Sequence, residues 1–131
     1  MPTNKKFKGV LIDTKKGISK ITLEAPDVSK IQELLGCKYV SCTRRVIKGE
    51  RFSVYYDAEF MQSEKLEPAI ITRAKETRRL MEVMYGNCFI CKDDKKQNPE
   101  TLTYKEMNIV LSSVGTITQD GKTYKVVQSE I

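Results

Sequence analysis

Histidine and tryptophan are both missing from the 131 residues. Without imidazole there is no Ser-His-Asp or Cys-His nucleophile, no histidine general base and no metal site built on histidine ligands. An enzyme made from this chain would have to work with Asp, Glu, Lys, Tyr or Cys alone. Long apolar runs are lacking too. None approaches the roughly 18 residues of a membrane-crossing helix, and the N-terminal MPTNKKFKGV carries positive charge without the apolar stretch of a secretory signal. A cytoplasmic protein with no membrane attachment is expected. Repeats, low-complexity tracts and Pro/Gly/Ser-rich linkers are absent as well, so the expectation is a single domain over residues 1–131.

What is present is charge of one dominant sign. Twenty-three Lys and Arg face 17 Asp and Glu, a net +6, so the surface should attract anions such as nucleic acid, nucleotides or acidic proteins.

Hydrophobic patterning gives a string of elements. Residues 7–13 and 17–24 are apolar, β-branched segments joined by Thr14-Lys15-Lys16, a polar loop of hairpin length. Ser29 with Gln32 has the spacing of a capping box, and Val28, Ile31, Leu34 and Leu35 then share a helical face that Gly36 ends. Residues 37–47 return to strand, Lys48-Gly49-Glu50 turns, and Phe52, Val54 and Tyr56 alternate with Arg51, Ser53 and Tyr55. Ala69-Ile70-Ile71 reads as a short strand and residues 72–83 as the start of a helix. Gly86-Asn87 is a turn before the strand Cys88–Cys91, and a hydrophilic loop spans residues 92–100. Thr103 with Glu106 repeats the capping spacing and opens a helix with Met107, Val110, Leu111 and Val114 on its apolar face. Asp120-Gly121 between alternating runs is the strongest hairpin signal, and residues 115–128 read as an appended hairpin. The fold class is α+β, a mostly antiparallel sheet with two principal helices near 28–35 and 104–113.

Cys37, Cys42, Cys88 and Cys91 include one C-x-x-C spacing, which invites a zinc or redox reading. Residues three apart on a strand point to opposite faces, so Cys88 and Cys91 diverge and buried free thiols are the expectation, with no metal and no cofactor. Arg44, Arg45, Lys48 and Arg51 gather on the second hairpin among Phe52, Tyr55 and Tyr56. Guanidinium forks match phosphate oxygens and tyrosine faces stack on bases, so this hairpin is a candidate nucleotide surface. The plainer reading is a solvated hairpin whose cations discourage edge pairing. Adjacent Arg44 and Arg45 must face opposite ways, so one at most lines a given pocket. Lys75, Arg78 and Arg79 would share a helical face as a second basic cluster. Asn87, at the entry to an apolar strand, has an amide that can read a base or ribose edge, or simply make the turn. No phosphate loop, paired-carboxylate motif or nucleophile elbow occurs, which favours binding without turnover, so the protein is expected not to be an enzyme.

In order, Phe7–Asp13, Leu34-Leu35-Gly36-Cys37-Lys38-Tyr39-Val40, Arg45–Phe52, Tyr56-Asp57, Gly86–Cys91 and the Leu102-Thr103 helix resemble small proteins of Firmicutes phages and prophages. Among these the chain is most similar to the anti-Thoeris phage sponge proteins, over most of residues 7–114. It departs from them at residues 72–80 and 115–128, and has no arginine after Arg79. The resemblance implies a non-enzymatic counter-defence protein, a homo-oligomer holding a glycocyclic ADP-ribose signal between subunits, with related members holding cyclic oligonucleotides. Joined to the basic hairpin, it assigns Arg44 or Arg45 with Arg51 to the pyrophosphate, Tyr55 or Phe89 to the adenine and Asn87 to a polar edge. The competing expectation is a counter-defence protein that binds nucleic acid or inhibits a protein.

Overall fold

The computed structural model describes residues 6–59, 66–96 and 98–130. Among them the chain runs β1 (Phe7–Asp13), β2 (Gly17–Leu23), α1 (Val28–Leu35), β3 (Val40–Ile47), β4 (Glu50–Asp57), β5 (Pro68–Arg73), β6 (Leu80–Tyr85), β7 (Cys88–Asp93), β8 (Pro99–Glu100), α2 (Tyr104–Leu111), β9 (Val114–Gln119) and β10 (Lys122–Glu130). The strands form one sheet in the order β2-β1-β7-β4-β3-β10-β5-β6, with β8 beside β7 and β9 beside β10. Pairing is antiparallel except between β5 and β10, which run parallel. The class is α+β, mostly antiparallel but mixed. No helix among the described residues is long and apolar enough to cross a membrane.

Strand alternation sends side chains to two faces, and each face carries one helix. On one, Val10, Ile12, Phe52, Val54, Cys88 and Ile90 pack under Met107 and Val110 of α2. On the other, Phe7, Tyr55, Phe89 and Cys91 pack under Ile31 of α1. Cys88 and Cys91 therefore lie on opposite faces, as the three-residue spacing requires. Phe7 and Phe89 meet edge to face, their centroids 5.6 Å apart. Gly9 lets them do so, because a Cβ there would sit 2.3 Å from the Phe89 ring.

Both helices lie where the apolar periodicity puts them, except that α2 stops at Leu111 and Val114, expected on its apolar face, opens β9; their caps divide. Thr103 and Glu106 form the reciprocal box, Thr103 N donating to Glu106 Oε1 at 2.9 Å and Glu106 N to Thr103 Oγ1 at 3.1 Å. The start of α1 is capped by Asp27 instead of Ser29, Ser29 N donating to Asp27 Oδ1 at 3.0 Å. An Asx residue placed ahead of the first turn reaches the free amide directly, so no Ser29–Gln32 reciprocity is needed. Gly36 ends α1 at φ 65°.

The helix expected from residue 72 is absent. Residues 68–72 are all buried in β5, between β10 and β6, and the chain turns at residues 74–79 and returns as β6. β-branched Ile70, Ile71 and Thr72 suit a strand covered on both faces, and two neighbouring ladders outweigh the helix propensity of the charged residues that follow. Lys75, Arg78 and Arg79 accordingly share a turn, with Arg78 at φ 59°, and not a helical face. Within residues 92–100, Pro99 and Glu100 pair with β7 as a short strand.

Asp120 (φ 51°) and Gly121 (φ 77°) make the two-residue turn between β9 and β10. The hairpin is integral, not appended: beyond it β10 continues into the sheet, pairing with β5 and, at Glu130, with Val46 of β3. A buried Thr72–Ser129 hydroxyl pair at 2.9 Å ties the parallel strands, satisfying polar groups inside the core.

Candidate functional site

The β3–β4 hairpin turns at Lys48 (φ 49°) and Gly49 (φ 82°), and carries Arg44, Arg45, Arg51 and Tyr55. β4 is flanked by β3 and β7, whereas β3 pairs with β4 along its length and meets β10 only at Val46, opposite Glu130.

Arg44 reaches across β4, where Ser53 stands opposite both Arg44 and Cys91, to Asp93 of β7. Its Nε and Nη2 donate to Asp93 Oδ2 at 3.1 and 2.7 Å, and Nη1 to Cys42 Sγ at 3.4 Å. Partial burial by itself would raise the Asp93 pKa, but the Arg44 hydrogen bonds and charge outweigh it and hold the carboxyl below its ordinary value. Arg45 departs on the opposite face and pairs with Glu82 of β6, while its Nη1 donates to Thr43 Oγ1 and the Arg44 carbonyl at 2.9 and 2.8 Å. Each guanidinium is thus held by a carboxylate. Arg51 is exposed and without an ion pair among the described residues; its carbonyl accepts the Lys92 ammonium.

The two aromatic candidates do not present a ring to a ligand. Tyr55 and Phe89 face one another across β4 and β7 beneath α1, 4% and 0% exposed. Burial, reinforced by neighbouring Cys42 and Cys91, pushes the Tyr55 phenol well above its ordinary pKa. The assignment of either ring to an adenine is corrected here: alternation puts both on the inward face of central strands, where a helix covers them.

Asn87 lies elsewhere, at the corner where β1 turns into β2. After Gly86 (φ 89°), Asn87 Oδ1 accepts from Thr14 N at 2.9 Å and Thr14 Oγ1 at 3.3 Å, clamping the β1–β2 turn. Its amide NH2 has no protein partner among the described residues. The turn is braced a second time by Asp13, whose Oδ1 accepts from the amides of Lys15 and Lys16 at 2.9 and 3.0 Å. Those backbone bonds, Lys16 first, hold the Asp13 carboxyl below its ordinary pKa.

Around this braced turn runs a groove. One arm, about 430 Å³, is lined by Lys15, Lys16, Asn87, Asp57 and Glu67. The other, about 380 Å³, shares Asp13–Lys16 and Glu67 and adds Tyr124 and Lys125. Lys15, Lys16 and Lys125 have no ion pair among the described residues. Lysine ammoniums for phosphate, an amide NH2 and carboxylates for ribose hydroxyls, and a half-buried tyrosine at one wall are the functional groups a nucleotide needs. Of the six residues singled out in the sequence, only Asn87 lines this groove. In the sequence Lys15 and Lys16 are only part of a polar loop; the signal that marks them is adjacency inside a short turn, where a lysine stem has no neighbouring strand to lie across.

The thiols are poor nucleophiles: burial raises Cys37 and Cys42, pushes Cys88 up to about 12 and drives Cys91 higher still. No cluster of three or more Cys, Asp or Glu among the described residues is placed to hold a metal. Comparison with known protein families, curated proteins and solved structures finds no match to this chain.

Proposed function

We propose that this protein is a phage counter-defence protein that binds and sequesters a cyclic ADP-ribose-type nucleotide signal without cleaving it, and that the signal lies in the groove around the β1–β2 turn. The observation that carries the site is the pair Lys15 and Lys16, unpaired and mounted on a turn braced by Asp13 and Asn87. A preorganised cationic turn lowers the ordering cost of binding. Phosphate contact passes from Arg44 and Arg45, already bound to carboxylates, to the lysines. Asn87 keeps its polar-edge role through its NH2 group. Each arm of the groove falls within the range of small-ligand sites, roughly 300–1,000 Å³. Both arms are open to solvent, and in the proposed homo-oligomer a second subunit closes them.

The test is direct. Purified protein is incubated with the cyclic signal, filtered, then heated, and both fractions are assayed. A sponge depletes the filtrate and releases intact signal on denaturation; degraded signal, or none retained at micromolar protein, overturns the reading. Asn87→Asp sharpens the site, because the carboxylate still accepts from Thr14 but has no NH2 to donate, so binding falls while the turn holds. Light scattering at the mass of one chain would remove the oligomer.

A further inference from the structure

Among the described residues Tyr104 is the most open of the large apolar side chains, at 66% exposed. It is the first residue of α2, and its position is set by well-packed structure. Leu102 N donates to the Lys8 carbonyl at 2.8 Å and Lys8 N to Thr101 Oγ1 at 2.9 Å, docking the chain ahead of α2 onto the start of β1. Leu102, Met107 and Val110 are buried beneath it. Two ammonium groups lie over the ring in cation–π contact, Lys8 Nζ 5.3 Å and Lys20 Nζ 4.9 Å from its centroid. Neither lysine has an ion pair among the described residues, whereas Lys92 lies between Glu50 and Glu106 at 3.4 and 3.5 Å.

Two cations that share one exposed ring and have no counter-ion among the described residues repel each other, and an anion drawn to both relieves that repulsion. A ligand suited to the whole patch offers closely spaced negative charge together with a flat apolar face. Single-stranded nucleic acid does so, since its phosphates flank unstacked bases; a duplex hides the faces, and an acidic peptide has charge with few planar groups. We infer that Lys8, Lys20 and Tyr104 form a contact for single-stranded nucleic acid, the two ammoniums swinging off the Tyr104 ring to meet adjoining phosphates as a base stacks on it. The patch is distinct from the groove: Lys8 and Asp13 are five residues apart along β1, about 17 Å at ~3.3 Å per residue.

The experiment is fluorescence anisotropy of an end-labelled short oligothymidylate and of the matching duplex, from low to moderate salt. The strand is expected to bind better than the duplex. Tyr104→Ala should weaken it at least about fivefold, while Tyr104→Trp retains it. Lys8→Gln and Lys20→Gln should each reduce the slope of log affinity against log salt by about 0.7. The substituted side chains are at the surface, and unfolding midpoints matching the parent certify that the variants fold. Absence of strand binding at low salt overturns the inference. So does binding that Tyr104→Ala leaves unchanged, binding lost with Lys15→Ala/Lys16→Ala but kept in Tyr104→Ala, or displacement by polyglutamate as efficient as by unlabelled strand.

Discussion

Two hairpins of this protein carry conspicuous positive charge, and they use it in opposite ways. On β3–β4 the cations are guanidiniums on strands of the sheet, and both are held by carboxylates of other strands, Arg44 reaching over β4 to Asp93 of β7 and Arg45 reaching Glu82 of β6. On β1–β2 they are lysines in the connecting turn, where the carboxylate of Asp13 is occupied by backbone amides and leaves the ammoniums unpaired. A long cationic side chain on a central strand lies across its neighbours and meets whatever acids they carry; one in a turn has only solvent or a ligand. Charge counted along a chain is therefore different from charge available to bind.

The largest effect is expected at Phe89, on the strand beside the β3–β4 hairpin. Phe89→Ala should lower stability by about 3–5 kcal/mol, the usual cost of emptying a buried aromatic site, seen as a lower denaturant midpoint. A variant that kept its stability and lost only nucleotide binding would return Phe89 to the ligand site. Next comes the Arg44–Asp93 bridge, whose side chains are 24% and 22% exposed. Asp93→Ala leaves the guanidinium without its partner, and a loss of about 1–3 kcal/mol is expected, below the cost of breaking a fully buried pair. A double-mutant cycle with Arg44→Ala should show coupling; additive effects would mean that the guanidinium is free for a ligand after all.

Lys15→Ala/Lys16→Ala should do the reverse, leaving stability within roughly 0.5 kcal/mol of the parent while weakening signal binding about tenfold, or ~1.4 kcal/mol. Equal binding by this variant and the parent would remove the groove assignment. The smallest effect is on acid stability. Because the folded pKa of Asp93 is depressed, its contribution is complete above the ordinary carboxylate value of 3.8 and is lost as pH falls below that through the folded value. Asp93→Asn should flatten this part of the acid limb, and an unchanged limb would show that the bridge contributes nothing there.

Much of this molecule was legible along the chain, because local rules govern it. Apolar residues three and four apart placed α1 and α2, Asp120-Gly121 and Lys48-Gly49 marked turns, with positive φ that suits Asp120 and both glycines, and strict alternation separated Arg44 from Arg45 and Cys88 from Cys91. Strand order was decided elsewhere. That β7 lies between β1 and β4, and β10 between β3 and β5, depends on contacts between residues far apart in sequence. From that order follow the burial of Tyr55 and Phe89, the turn and strand that replace the helix expected over residues 72–83, and the neutralisation of two arginines. Sequence by itself determined which residues could be cationic, aromatic or turn-forming. Only the tertiary structure decided which remained free, since pairing and burial belong to neighbours in space and not to neighbours in the chain.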